Sequence, residues 1–343
     1  MKALVLKEYN HFEYTEVPVP ELPDDHVLVR IHAVGICGSD VHGADGSTGR
    51  RIPPIIMGHE AAGIIEAAGS MISAYRPGER VTFDSTIYCG SCHFCRQGRI
   101  NFCENRRVLG VGCDEYHQNG AFAEYVAVPE RILYRLPPDV SFHQAAMVEP
   151  VSIAVHAVGI TDIGIGDSAV VFGAGVIGVL TMQVLLSAGC GKVYIADIDQ
   201  SRLDLAKRLG AAEAFNLKKT DIISELAGRT AGRGVHLAFD AVGLDETFSG
   251  AVHSVCKGGQ VTVIGNFKPE TSFPLQYVVS RQITIRGSNA SSGEYPVCLE
   301  MIQSGHIDVD SLISAKAPLS EGAEWFEKLR RGEPGLMKVL LEP

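Results

Sequence analysis

Four cysteines cluster in the segment CGSCHFCRQGRINFC, which spans residues 89–103. Cys89, Cys92, Cys95 and Cys103 have the spacing C-x2-C-x2-C-x7-C. Four thiolates saturate a tetrahedral zinc ion and leave no open position, so such a site stabilises a loop and activates no substrate. An iron–sulfur cluster begins with the same C-x2-C-x2-C run, but here the fourth cysteine is distant and no proline follows it. The spacing therefore predicts a structural zinc site.

A catalytic zinc has a different signature, because it needs three protein ligands and one free position, and its ligands are usually scattered along the sequence. A lone cysteine or histidine is more often an ordinary core or surface residue. Glycines close to several of the candidates would allow the backbone to approach a metal. The spacing alone does not establish that they converge. The candidates come from the segments GICGSDVH, MGHEAAGIIEAAGS and MVEPVSIAVHA, and they are Cys37, Ser39, His42, His59, Glu60 and Glu149.

A dinucleotide-binding motif lies in the segment VVFGAGVIGVL, where Gly173, Gly175 and Gly178 form G-x-G-x-x-G. It follows an apolar strand and opens a helix, so a pyrophosphate would lie at the helix N-terminus. Asp197 ends the next predicted strand, where a carboxylate accepts from ribose hydroxyls and repels a 2′-phosphate. NAD is therefore favoured over NADP, although Arg202 lies close by. The predicted cofactor-binding residues are Gly173, Gly175, Val176, Ile177, Gly178, Asp197, Arg202, Val242, Ile264, Ser288 and Asn289.

The surrounding pattern predicts two kinds of architecture. Residues 1 to about 150 consist mostly of apolar runs separated by proline- and glycine-rich turns, which is typical of strands. From about 153 to 286, six short apolar strands alternate with helical stretches, a pattern that predicts a doubly wound parallel sheet. Gly189, Gly210 and Gly228 fall where helix C-caps are expected. The segment 287–343 has two helical stretches and the strand-like MKVLL, and we expect it to pack back on the N-terminal domain.

Length and composition exclude several classes of protein. A chain of 343 residues is too long for one core, so two domains are expected. The net charge of −10 disfavours nucleic acid and an anionic membrane surface as partners. Residues 168–191 carry no charge, but their early glycines fit a strand, turn and helix better than a membrane span. Nine cysteines, and an N-terminus without a signal-peptide pattern, predict a reducing, cytoplasmic setting.

At these motifs the chain resembles the zinc-dependent medium-chain dehydrogenase/reductase family over essentially its full length. The pattern G-H-E-x2-G-x5-G runs through Gly58, His59, Glu60, Gly63 and Gly69, and the four-cysteine lobe and the GAGVIG segment follow in the family's order. The resemblance implies an α/β fold, in which a GroES-like β-barrel catalytic domain carries an inserted Rossmann domain. Residues 1–152 and 287–343 would form the GroES-like catalytic domain, which includes the structural-zinc lobe at about 86–110. Residues 153–286 would form the Rossmann domain.

The resemblance also implies roles for the scattered candidates. Cys37 and His59 would bind a catalytic zinc, with Glu60 as third ligand, and Glu149 would either bind the zinc as well or hold its water. The alcohol dehydrogenase branch has a cysteine near that second position, where this chain has glutamate. This difference, together with the CGSDVH and EPVSIAVHA segments, places the chain nearer the sorbitol-like polyol dehydrogenases. Ser39 would relay the hydroxyl proton and His42 would carry it to solvent. Two zinc ions per chain are expected.

The implied reaction is oxidation of a secondary alcohol, a polyol or a vicinal diol, to a ketone with hydride transfer to NAD. Sorbitol-type enzymes carry an aromatic residue where Gly43 stands and an arginine where Ala290 stands, which puts sorbitol itself in doubt. The alternatives are a polyol-phosphate or L-threonine dehydrogenase, or a non-catalytic member that binds NAD and zinc. Arg50 and Arg51 are interpreted as a solvated basic loop, with contact to an anionic substrate group as the alternative. A homo-oligomer, either a tetramer or a dimer, is expected.

Overall fold

The computed structural model describes all residues from Met1 to Pro343, and the chain divides into two compact units. Unit 1 comprises Met1–Glu149, Ser292–Gly305 and Val309–Pro343, and unit 2 comprises Pro150–Ser291 and His306–Asp308. Residues 306–308, which fall in the segment predicted to pack on the N-terminal domain, belong instead to unit 2. There the Gln183 side chain accepts from the N–H of Asp308 at 2.7 Å and donates to its carbonyl at 3.2 Å.

Numbered along the chain, the strands are β1 (Lys2–Glu8), β2 (His11–Glu16), β3 (His26–Gly35), β4 (Ile55–Ile56), β5 (Glu60–Ala68), β6 (Arg80–Phe83), β7 (Thr86–Ile87), β8 (Arg107–Val108), β9 (Val111–Gly112), β10 (His117–Gln118), β11 (Tyr125–Pro129), β12 (Leu133–Arg135), β13 (Ser168–Phe172), β14 (Lys192–Asp197), β15 (Glu213–Asn216), β16 (Val235–Asp240), β17 (Val255–Val263), β18 (Thr284–Gly287), β19 (Ile313–Pro318) and β20 (Lys338–Glu342). The helices are α1 (Gly38–Gly43), α2 (Phe142–Ala146), α3 (Val148–Gly159), α4 (Val176–Ser187), α5 (Gln200–Arg208), α6 (Ile222–Arg229), α7 (Asp245–Ser254), α8 (Leu275–Arg281), α9 (Tyr295–Gln303) and α10 (Gly322–Arg330).

Unit 1 is built on a seven-stranded sheet with the order β12-β6-β5-β3-β20-β19, in which β11 also pairs with β3. Strand β3 alternates partly buried and fully buried residues along most of its length, as a strand with one face on a core does. Strand β20 begins at Lys338, so it includes all of the strand-like segment MKVLL except Met337, and it pairs antiparallel to β3 with Leu341 opposite Val34. The last strand of the chain therefore lies in the sheet formed by the first 150 residues.

Unit 2 is a six-stranded, all-parallel sheet with the order β15-β14-β13-β16-β17-β18. This confirms the predicted doubly wound sheet. The strand order reverses between β13 and β16, and dinucleotides bind outside the carboxyl ends of the strands at such a switch point. Strand β13 is almost wholly buried, as expected of a central strand covered by helices on both faces.

None of the ten helices is long and apolar enough to span a membrane. In the uncharged segment 168–191, β13 and the twelve-residue helix α4 are separated by the glycine-rich turn.

Candidate metal centre and cofactor site

Cys37, His59 and Glu60 converge in unit 1, and one ligand atom from each lies within 4.8 Å of the others. The pairing of β3 with β5 causes this, because Gly35 at the end of β3 lies opposite Glu60 at the start of β5. The two segments that follow β3 and precede β5 then meet at one edge of the sheet. A thiolate, an imidazole and a carboxylate are a donor set that fits zinc, and three ligands leave a fourth position open.

A buried carboxylate lies next to the His59 ring. Its Nδ1 lies 3.5 Å from Oδ1 of Asp40, which is fully buried in α1. Metal-bound histidines usually direct their second ring nitrogen to such a group, which leaves the other nitrogen for the metal. Burial opposes ionisation of Asp40, but His59 and Arg51 outweigh it and hold the pKa of the carboxyl well below its ordinary value.

Glu60 is paired with a buried cation from the last strand. Lys338 Nζ lies 2.5 Å from Glu60 Oε2 and donates to the Ile36 carbonyl at 3.1 Å, and both side chains of the pair are buried. Although burial lowers it, the charge of Glu60 raises the pKa of Lys338 above its ordinary value. Lys338 therefore gives the Glu60 carboxyl a buried positive partner beside Cys37 and His59.

Glu149 is buried in the first turn of α3 and lies outside the group formed by Cys37, His59 and Glu60. Its Oε1 accepts a hydrogen bond from Ser85 Oγ at 3.1 Å. Burial raises the pKa of Glu149 to about 7; His59 opposes this rise, and Glu60 and Asp84 add to it. The geometry thus favours Glu60 as the third member of the group, while the role of Glu149 stays a prediction.

Ser39 and His42 lie three residues apart on the exposed side of α1, directly after Cys37. Neighbouring positions at i and i+3 share one face of a helix. This placement fits the predicted relay, which stays a prediction.

Arg50 and Arg51 have different environments. Arg50 is exposed, whereas Arg51 is only 5% exposed and pairs with Asp40 at 2.9 Å. The interpretation of both as a solvated basic loop is therefore wrong for Arg51, because its guanidinium is buried and forms an ion pair with Asp40.

The four cysteines of the 89–103 segment form a second, separate group, with one sulfur from each within 4.8 Å of the others. Two short 3₁₀ turns, Cys95–Gln97 and Ile100–Phe102, fold the segment so that the distant Cys103 reaches the first three. Hydrogen bonds from the backbone N–H groups of Ser91 and Cys92 lower the pKa of the Cys89 thiol to about 5. The pKa of Cys92 is lowered in the same way, whereas burial raises the pKa of Cys95 to about 12 and also raises that of Cys103, so the N–H groups favour the thiolate at the first two cysteines only.

The glycine motif of unit 2 forms the turn between β13 and α4. Gly173 has φ of 95°, in the region that glycine adopts readily, and a Cβ at Gly178 would lie 1.8 Å from the Gly173 carbonyl oxygen. Asp197, at the end of β14, accepts from the Ala174 N–H at 2.5 Å, so its carboxylate lies at this turn. Arg202 lies 3.9 Å from the Asp199 carboxylate and 4.0 Å from the Cβ position of Gly175.

The other predicted cofactor residues follow the carboxyl ends of parallel strands and therefore lie at the same edge of the sheet. Val242 follows β16, and its Cγ2 lies 2.6 Å from the Cβ position of Gly173. Ile264 follows β17, and Ser288 and Asn289 follow β18. Val176 and Ile177 begin α4.

Sequence reasoning missed Asp40, Arg51 and Lys338. A lysine inside the apolar run MKVLL was a usable signal, because a charge in a buried strand needs a partner. No comparable signal distinguished Arg51 from Arg50, because only the fold determines which side chain points inwards.

The chain matches two family models, "Alcohol dehydrogenase GroES-like domain" over residues 23–138 and "Zinc-binding dehydrogenase" over residues 176–304. It is 30% identical to sorbitol dehydrogenase of Bacillus subtilis, with 100% of this chain and 97% of that protein covered. It is 32% identical to D-xylulose reductase A of Aspergillus oryzae, with 96% and 94% covered.

Two similar solved structures contain different cofactors. A zinc-binding dehydrogenase from Sinorhizobium meliloti 1021, bound to NADP, is 30% identical with a TM-score of 0.91, and 100% of this chain and 99% of that chain are covered. A short chain alcohol dehydrogenase from Escherichia coli CFT073, complexed with NADH, is 30% identical with a TM-score of 0.92 and the same coverage. The predicted GroES-like and Rossmann fold class is confirmed. The chain belongs to the zinc-dependent medium-chain dehydrogenase/reductase family, on its polyol dehydrogenase branch, and is an oxidoreductase.

Proposed function

We propose that this enzyme oxidises a secondary alcohol, in the form of a polyol or a vicinal diol, to a ketone and transfers the hydride to NAD. The observation that carries the proposal is the convergence of Cys37, His59 and Glu60, apart from the four-cysteine group. Three protein ligands would leave the fourth position of a tetrahedral zinc ion open to substrate. The curated relatives named above act on sorbitol or D-xylulose, as their names state, which supports a polyol as the substrate class.

Each group of the proposed centre has one task. The chemistry that a bound zinc ion supplies here is polarisation of the alcohol oxygen, which lowers the pKa of the hydroxyl. Cys37, His59 and Glu60 would hold that ion, and Glu149 is a further candidate ligand. Ser39 Oγ would accept the hydroxyl proton, and His42, one turn further along the exposed face of α1, would carry it to solvent. Cys89, Cys92, Cys95 and Cys103 would hold the second, structural zinc.

NAD is proposed over NADP because of the residues at the end of β14. Asp197 would accept from the ribose hydroxyls and repel a 2′-phosphate. Arg202 is next to the Asp199 carboxylate, so part of its charge is neutralised before any phosphate arrives. We further propose a cytoplasmic homo-oligomer; cysteines clustered as metal ligands, four of them in the 89–103 segment, support a reducing compartment.

The test is a screen of NAD and NADP reduction by the zinc-loaded protein over polyols, vicinal diols, polyol phosphates and L-threonine. We expect turnover with at least one unphosphorylated polyol or diol, and loss of turnover when a chelator removes one of two zinc equivalents. NAD reduction that survives exhaustive chelation would contradict the proposed mechanism. Turnover of L-threonine or polyol phosphates alone would contradict the substrate class.

A further inference from the structure

Arg51 is the only arginine among the buried polar and charged residues of the chain. It is held on several sides. Its Nε and Nη2 donate to the same oxygen of Asp40, Oδ1, at 3.2 and 2.9 Å. Nη1 donates to the Arg50 carbonyl at 3.0 Å, and Nη2 lies 3.5 Å from Ser39 Oγ. A guanidinium held in this way is fixed in orientation, since each of the three nitrogens of its rigid fork donates to a defined acceptor.

The chain makes room for this side chain at Gly43. A Cβ at that position would lie 2.7 Å from Arg51 Cγ and 3.2 Å from Thr48 Oγ1. The aliphatic stem of Arg51 therefore occupies the space where any larger residue at position 43 would begin. Gly43 and Arg51 form a matched pair, which explains physically why the end of α1 carries no side chain here.

Asp40 receives its hydrogen bonds from Arg51. It is fully buried, its Oδ1 accepts both guanidinium bonds and lies 3.5 Å from His59 Nδ1, and neither Oδ2 nor that Nδ1 has a hydrogen-bond partner. A buried carboxylate is costly unless it is paired, and one held by a single contact can rotate about its bond to Cβ. The two Arg51 donors fix which oxygen faces the histidine.

We propose that Arg51 is a positioning residue of the metal centre, which fixes Asp40 and thereby the ring of the metal ligand His59. It also draws part of the Asp40 negative charge away from the imidazole. The inference rests on the proposed function, because it assigns His59 to a bound metal. It assigns to Arg51 an action through Asp40 and no contact with the substrate.

The experiment compares Arg51→Met and Arg51→Lys with a matched control, Arg50→Gln, in the full-length protein. Zinc competition with a chromophoric chelator measures the affinity of each of the two metal equivalents. Outer-shell partners of metal ligands typically contribute about 10- to 100-fold in affinity. We expect Arg51→Met to weaken one equivalent by about tenfold or more, Arg51→Lys to recover part of the loss, and Arg50→Gln to match the wild type.

A second readout is spectroscopic and independent of turnover. With Co²⁺ in the weaker-binding site, the d–d absorption bands report ligand orientation. We expect them to shift in Arg51→Met and to stay unchanged in Arg50→Gln. The tighter equivalent, held by the four cysteines, serves as the internal standard, and its affinity should not change.

A double-substitution cycle keeps the inference testable if Arg51→Met alone folds poorly, because Asp40→Asn combined with Arg51→Met leaves no unpaired buried charge. Its metal affinity should equal that of Asp40→Asn alone, since Arg51 acts through Asp40. Independent, additive losses would overturn the inference. Unchanged affinity and spectrum in Arg51→Met would also overturn it and leave the proposed function intact, whereas a wild type that binds one zinc equivalent would overturn both.

Discussion

At the scale of single residues, the two cysteine sets differ in what their coordination leaves free. The group of Cys89, Cys92, Cys95 and Cys103 offers four thiols to one ion, whereas Cys37 joins only His59 and Glu60. A saturated ion can only hold structure, and an unsaturated one can bind substrate. The four-cysteine segment, which is the densest motif in the sequence, is therefore proposed to bind a structural zinc. The chemistry is assigned to Cys37, His59 and Glu60, which no single motif in the sequence links.

This division of labour predicts opposite effects for two cysteine substitutions. Cys37→Ala should abolish turnover, remove one of two zinc equivalents and leave the melting temperature almost unchanged. Cys95→Ser should remove the other equivalent and lower the melting temperature, since structural zinc contributes folding free energy. Metal analysis, calorimetry and activity assays on the same preparations check this, with half-buried Cys256→Ala as the control. A Cys95→Ser protein that melts normally but is inactive would refute the assignment.

Asp197 is the residue proposed to set the preference for NAD over NADP. Asp197→Ala should weaken NAD binding by about 1.5–3 kcal/mol, the range for hydrogen bonds to a charged group. NADP binding should weaken less, because the repulsion of its 2′-phosphate disappears at the same time. Titration of both cofactors checks this, with the exposed Asp204→Asn on α5 as control. Equal losses for the two cofactors would count against a ribose contact.

At the scale of elements, unit 2 was predictable and unit 1 was only partly so. In unit 2 each strand and each helix can be recognised from its own stretch of sequence. The alternation of short apolar strands with helices therefore predicts a doubly wound parallel sheet. In unit 1 the metal centre depends on β3 pairing with β5 and on Lys338 in β20, which is 278 residues away from Glu60. No periodicity encodes such pairings, and so the spacing identified candidates without establishing that they meet.

Of the three glycines predicted to cap helix C-termini, Gly228 is wrong. Gly189 and Gly210 follow α4 and α5 with φ of 99° and 109°, as left-handed caps should. Gly228 instead lies inside α6, which ends at Arg229 and has Thr230 as its C-cap. A glycine near the end of a helical pattern does not determine the turn in which the helix stops.

Substitution by alanine should have opposite effects on stability at Gly178, in a tight turn, and at Gly228, inside a helix. Gly178→Ala would place a Cβ 1.8 Å from a backbone carbonyl, so the turn between β13 and α4 must shift. We expect lower stability and a severe loss of NAD affinity. Gly228→Ala meets nothing within 4 Å and should stabilise unit 2 by about 0.5 kcal/mol, the low end of the helix-interior preference. Thermal unfolding with and without NAD checks both. A Gly178→Ala protein that binds NAD normally would contradict the close approach.

At the scale of the whole molecule, one face of unit 2 carries features that a monomer usually avoids. Phe267, Phe273, Leu275 and Val279 are large apolar residues with more than half of their surface exposed, within one thirteen-residue stretch that leads into α8. Strand β18 follows directly and forms an edge of the parallel sheet. Concentrated apolar exposure beside an unpaired strand edge is typical of an interface between protein chains.

The proposed homo-oligomer therefore predicts the effect of a charge at this face. Val279→Glu should shift the protein to a smaller species in light scattering, because a buried carboxylate without a partner opposes association. Ile165→Glu is the matched control, since Ile165 is also an exposed apolar residue of unit 2 but lies outside this stretch. Zinc content should be the same in both variants, because all proposed ligands lie in unit 1. A monomeric wild type, or a Val279→Glu protein of unchanged mass, would exclude this face as the interface, whereas dissociation of Val279→Glu alone would assign the contact to α8.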